Sequence, residues 1–144
     1  MTATVADVVG KKGQAVLTID ETDSVLSAVE KMLENDIGAL VVTRDDAVAG
    51  IFTERDYFRR ITVQPHPNRL VPVKDVMSSP VIYVTPETPV QECMTLMTQC
   101  RIRYLPVIDG PSLAGIVSIG DLVKVHAEER EVEIRFLHEF ISAR

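Results

Sequence analysis

The octapeptide Ala49-Gly50-Ile51-Phe52-Thr53-Glu54-Arg55-Asp56 returns 65 positions later as Ala114-Gly115-Ile116-Val117-Ser118-Ile119-Gly120-Asp121. In each copy a hydroxyl residue follows the glycine by three positions, and an aspartate follows the hydroxyl by three. The same offset pairs Val25 with Val90, Met32 with Met97, Ile37 with Ile102 and Leu40 with Leu105, without a slip between Ile19 and Asp56. The chain is an internal duplication.

Upstream of the octapeptide, Val25, Ala28, Val29, Met32 and Leu33 fall at helical spacing behind the capping-type residues Thr22, Asp23 and Ser24. Residues 37–43 and 48–52 are β-rich runs joined by the turn Arg44-Asp45-Asp46, and a second helix starts near Thr53. The second copy repeats the order, with a helix over 90–99, strands over 102–108 and 113–117, the turn Asp109-Gly110-Pro111 and a helix over 120–126. A short extended segment precedes each first helix, at 16–19 and 81–84. The fold class predicted is α+β and sandwich-like, with two repeats of about βαββα and a C-terminal helix. Residues 1–61 form the first repeat, 62–72 a linker containing Pro65, Pro67 and Pro72, 73–126 the second repeat and 127–144 the terminal helix. Each sheet face exceeds what its own helices cover, so the copies are expected to pack about a pseudo-twofold axis with a ligand cleft between them.

Composition narrows the function. With 46% hydrophobic and 25% charged residues, the 144-residue chain has the make-up of an ordered globular protein. A net charge of −6 disfavours general binding to nucleic acid or anionic lipid. No apolar run is long enough for a membrane span, and residues 1–9 lack the pattern of a secretory leader, so a cytoplasmic location is expected. Cys93 and Cys100 are seven apart rather than in a Cys-x-x-Cys pair, and are expected as small buried hydrophobes on one helix face. His66, His126 and His138 are too dispersed to suggest a metal site. The run 115–120 is one residue off a nucleophile elbow, and Gly10-Lys11 lacks the earlier glycine of a P-loop, so no enzyme activity is predicted.

Thr53 and Ser118, each three residues before an aspartate, are placed for capping boxes. The same geometry suits a ligand: free N–H groups at a helix start can meet a phosphate, and a first-turn carboxylate can accept ribose hydroxyls.

Together with Ile37-Gly38-Ala39-Leu40-Val41-Val42 and Arg103-Tyr104-Leu105-Pro106-Val107-Ile108, the two Gly-x-x-[Ser/Thr]-x-x-Asp ends resemble tandem CBS domains over roughly residues 5–126. Thr53-Glu54-Arg55-Asp56-Tyr57, Arg101-Ile102-Arg103 and Ser118-Ile119-Gly120-Asp121-Leu122 are similar to stand-alone bacterial CBS pairs and plant organellar single-pair relatives. The resemblance implies a regulatory module that binds an adenine nucleotide, with AMP or NAD foremost and ATP, ADP or S-adenosylmethionine as further candidates. It puts Asp56 and Asp121 on the ribose, Thr53 and Ser118 on ribose or phosphate, and Val16, Ile37, Ile51, Ile82, Ile102 and Ile116 around adenine. Lys12 and Ser78, leading into the two copies, are further candidates. Arg103 and Tyr104 are implied to approach the phosphate at Thr53, beside Arg55, whereas Ala39 occupies the place of Tyr104 in the first copy and brings no donor. Some relatives have His where Tyr104 stands.

The residues 127–144 carry Val132, Phe136, Leu137, Phe140 and Ile141 on an apolar face that its own core or a second copy must cover. With the paired assembly that the resemblance implies, a homodimer is expected, acting on an unknown protein target. Two rival readings stand beside the sensor: a ligand-free interaction scaffold, and a redox-linked regulator of thioredoxin-like partners.

Overall fold

The structure, a computed structural model, describes residues 2–12 and 16–142, except for the side chains of Lys11, Lys12, Phe140 and Ser142. Two compact units are present. One runs from Val16 to Ile82, and the other joins residues 1–15 to residues 83–144.

In the first of these units, β1 (Thr18–Asp20) lies parallel to β2 (Ala39–Arg44), which pairs antiparallel with β3 (Ala47–Thr53) in the order β1-β2-β3. Helix α2 (Val25–Glu34) begins where Ser24, in extended conformation, accepts a hydrogen bond from the Ser27 N–H at 3.1 Å. Its stripe Val25, Ala28 and Met32 is buried with Leu40, Val42 and Phe52. Leu33, which the spacing also places on that stripe, is 76% exposed, because it lies a further 100° or so around the helix from Met32. The β2–β3 loop is one residue shorter than the sequence suggests: Arg44 still pairs with Ala47, leaving Asp45 and Asp46 at φ 50° and 65°. Two positive φ values in a two-residue loop match the strand twist of a type I′ hairpin, and aspartate tolerates them. A single turn, α3 (Glu54–Tyr57), continues as a π-turn over Phe58–Thr62 that buries Ile61.

The other unit has α4 (Val90–Cys100), β4 (Tyr104–Asp109), β5 (Ser112–Ser118) and α5 (Ile119–Ser142). Arg101 at φ 55° ends α4, and Gly110 at φ 59° makes the β4–β5 turn. The register shift between Val42 and Thr43 recurs between Val107 and Ile108, 65 positions on. The expected first strand of this copy is reduced to one parallel bridge, Val84 to Val107. Cys93 is buried on α4, but Cys100 at its end is exposed, so the two thiols do not share a buried face.

Residues 5–12 were not expected to be regular, yet they form helix α1 (Val5–Lys12). Val5 and Val8 sit in the core with Val90, Met97, Leu105 and Leu122. The pattern Val5-Ala6-Asp7-Val8-Val9 corresponds to Val73-Lys74-Asp75-Val76-Met77, and Val73 and Val76 are buried in the core of the Val16–Ile82 unit. Hydrogen bonds match as well. Val5 N donates to Thr88 O at 2.9 Å, and Val73 N donates to Asp23 O, the residue 65 earlier, at 2.8 Å. The chain therefore exchanges its lead-in segments: residues 5–9 complete the core of the second copy's strands, and residues 73–77 that of the first copy's.

Candidate functional site

β3 delivers Thr53 to the start of α3 in extended conformation, where a capping box forms. Asp56 N donates to Thr53 Oγ1 at 3.2 Å, while Asp56 Oδ2 accepts from Thr53 N at 3.0 Å and from Thr53 Oγ1 at 3.1 Å. Asp56 Oδ1 accepts from the Ser78 hydroxyl at 3.1 Å. At 9% exposure, Asp56 is the one buried charged residue among those described. A carboxylate has about four acceptor sites. Three are used by the described residues, which leaves one on Oδ1 among them.

Ser78 is held in place by backbone. Its N–H donates to Ile51 O at 2.9 Å and its carbonyl accepts from Ile51 N at 3.1 Å. Gly50 permits this approach, since a Cβ there would lie 2.6 Å from Met77 Sδ and 2.9 Å from Ser78 O. The backbone also fixes the start of α3, where Glu54 N donates to Gly38 O at 3.0 Å.

The second copy repeats the frame. Ser118 N donates to Asp121 Oδ2 at 3.0 Å, Asp121 N donates to Ser118 Oγ at 3.1 Å, and Ile119 N donates to Arg103 O at 2.9 Å. Here the glycine, Gly115, faces Val9, whose methyl carbons would lie 3.2 and 3.3 Å from an added Cβ. The residue after Val9, aligned in sequence with Ser78, is Gly10, which has no hydroxyl; it lies inside α1, and a Cβ added there would meet nothing within 4 Å.

Of the sixteen candidate residues, Ile37, Ala39, Ile51, Thr53, Arg55, Asp56 and Ser78 belong to the Val16–Ile82 unit, and Val16 and Ile82 are its two ends. Ala39 is buried and pairs with Thr53, Ile37 is half-buried against the core, and Arg55 is exposed on α3. Ile102, Arg103, Tyr104, Ile116, Ser118 and Asp121 belong to the other unit, where Tyr104 pairs with Ser118 and Ile116 with Pro106. Lys12 closes α1, and its side chain lies outside the described residues. The Gly38 and Arg103 carbonyls, which anchor both helix starts, were not anticipated, because backbone acceptors leave no mark in side-chain identity. A cavity of about 320 Å³ between residues 83–85 and α4, lined by Tyr83, Thr88, Glu92 and Leu96 among others, contains none of the candidates. No group of three or more His, Cys, Asp or Glu able to hold a metal occurs among the described residues. No described helix is long and apolar enough to cross a membrane.

The model of the CBS domain matches residues 5–63 and again 73–128, and the chain belongs to the CBS-domain family. It is a CBS pair, a regulatory module of the kind that commonly binds adenosine ligands. The chain is 40% identical to the mitochondrial CBS domain-containing protein CBSX3 of Arabidopsis thaliana, over 96% of its own length and 72% of that protein. A CBS-domain protein from Burkholderia ambifaria is 43% identical, with a TM-score of 0.81 over 85% of this chain and 93% of that one. At 19% identity and a TM-score of 0.75, over 90% of this chain and 99% of that one, the fold is shared with a CBS pair solved in complex with 5-methylthioadenosine and S-adenosyl-L-methionine.

Proposed function

We propose that this CBS pair is a sensor of an adenine nucleotide, AMP or NAD foremost, that signals by a ligand-dependent change in conformation or assembly and has no catalytic step of its own. The observation that carries the reading is the Asp56 carboxylate: buried at the start of α3, braced by Thr53 and Ser78, and left with one acceptor site. A ribose hydroxyl donates to that site, and a second displaces the Ser78 or Thr53 hydroxyl from the same carboxylate. Thr53 contacts ribose or phosphate, Arg55 adds a cation, and Ile37 and Ile51 flank adenine. Ser118 and Asp121 form the corresponding site in the other unit, with Ile102 and Ile116 as its apolar residues. The functional assembly is a homodimer, supported by the apolar side chains that α5 leaves exposed.

Mass spectrometry of the small molecules released when the purified protein is denatured tests the assignment, with intact AMP or NAD expected. Added nucleotide at 100 times its Kd should stabilise the fold by about 2.7 kcal/mol. Absence of both signals across AMP, ADP, ATP, NAD and S-adenosylmethionine would leave the scaffold reading, which the exposed face of α5 favours.

A further inference from the structure

Two exposed surfaces differ from the rest of the chain. On α5, the side chains of Val132, Ile134, Phe136, Leu137 and Ile141 are each more than half exposed. At about 100° per residue they spread over an arc of about 200°. Glu133 falls inside that arc, between Phe136 and Leu137 of the next turn. The segment 128–142 holds five glutamates against two arginines. Arg130, one turn before Glu133, shares the arc, but with five glutamates against two arginines the segment stays net acidic, so a covering surface that carries cations suits it.

The second surface has the complementary character. From Arg55 to Leu70 there are four arginines, and the single acid is the inward-held Asp56. Arg59 and Arg60 are exposed there, together with the apolar side chains of Phe58, Val63 and Leu70. Exposed apolar groups interleaved with arginines stand out on a chain whose net charge is −6.

We infer that the α5 tail of one copy docks on the Phe58, Arg59, Arg60 and Val63 surface of a second copy, with Glu133 facing Arg59 and Arg60. This rests on the two-chain assembly proposed above. Reciprocal docking makes the contact twice and closes the dimer, which suits a need for roughly 1,000 Å² or more of buried surface. Pairing tail with tail would bring two glutamate-rich helices together. An anionic membrane would repel the same glutamates, whereas helices that lie on membranes carry Lys and Arg on the polar face.

Sedimentation equilibrium of the full chain tests the docking with Glu133→Arg, with Arg59→Glu/Arg60→Glu, and with the three changes combined. Thermal midpoints serve as the check on folding. Each charge reversal should weaken the dimer roughly tenfold or more, and the combination should recover most of that loss by restoring opposite charges. A dimer insensitive to both reversals overturns the docking and leaves the two-chain assembly standing. Weakening by Glu133→Arg alone also overturns it, by pointing to tail against tail. A wild-type chain that stays monomeric overturns both readings.

Discussion

The hydrogen bond from Ser78 to Asp56 joins the lead-in segment to the signature helix, and its strength can be isolated with a double-mutant cycle. Asp56→Ala removes the acceptor for the Thr53 N–H, the Thr53 hydroxyl and the Ser78 hydroxyl at one stroke. Loss of the capping interaction costs about 1 kcal/mol, and stranding part-buried donors adds about 1–3 kcal/mol, for a total of roughly 3 kcal/mol. In a chain of this size, that corresponds to a fall of about 6–12 °C in thermal midpoint. Ser78→Ala removes one bond to a charged acceptor at a half-exposed position, so about 1 kcal/mol is expected, with a coupling between the two sites of about 1 kcal/mol. Urea unfolding of wild type, both single variants and the double variant measures it. A coupling below about 0.3 kcal/mol would show that the bond is not made in solution. The same variants divide the roles in binding. Asp56→Ala should weaken nucleotide by roughly 10- to 150-fold, the equivalent of about 1.5–3 kcal/mol. Ser78→Ala, which removes a competitor for Asp56 Oδ1, should not weaken it. Equal losses from the two would make Ser78 a ligand contact rather than a brace for Asp56.

Gly50→Ala must displace the Ser78 carbonyl as well as a flexible methionine, so it should cost about 1–3 kcal/mol in urea unfolding and more than Gly115→Ala, which meets two valine methyls. Burial pushes the Cys93 thiol up to about 11, so alkylation near pH 8 should label the exposed Cys100 and spare Cys93 until the protein unfolds. Because the Cys93 value is raised on folding, its contribution to stability is complete below the ordinary thiol value of 9.0 and is lost as pH rises towards 11; Cys93→Ala should flatten that alkaline slope. The Arg44 guanidinium, 2.6 Å from Glu21, lowers the Glu21 value below 4.5, so its stabilisation is present above pH 4.5 and disappears as pH falls below it. Glu21→Gln should make acid unfolding less steep; an unchanged slope would show that the pair contributes nothing measurable.

The duplicated core was legible because each copy buries its residues at fixed periods: Val25, Ala28 and Met32 on a helix stripe, and Leu40 and Val42 on alternate positions of a strand. Helix α1 was not legible. It is eight residues long, contains Gly10, and derives its packing from residues such as Thr88, Val90 and Leu105, some eighty or more positions away. Its counterpart lies 68 rather than 65 residues along, so a comparison at the main offset passes over it. The long α5 was foreseen in two pieces, since the repeat boundary near residue 126 is a boundary of sequence similarity and not of hydrogen bonding.

At the site, Thr53, Asp56, Ser118 and Asp121 could be found from spacing alone, because capping geometry is local. What separates the two copies is not local. In each signature the glycine admits a segment from elsewhere in the chain: Gly50 admits Met77 and Ser78, and Gly115 admits Val9. The two arriving segments differ: Ser78, after Met77, brings a hydroxyl to the Asp56 carboxylate, whereas Gly10, after Val9, has no hydroxyl and lies inside α1. Two copies with the same Gly-x-x-[Ser/Thr]-x-x-Asp frame thus give the aspartate different surroundings. Glycine, capping hydroxyl and aspartate act as one device, in which the first provides the space for the brace, the second starts the helix and the third receives both. Changing the lead-in segment alone, as in Ser78→Gly, therefore alters a site whose signature is left intact.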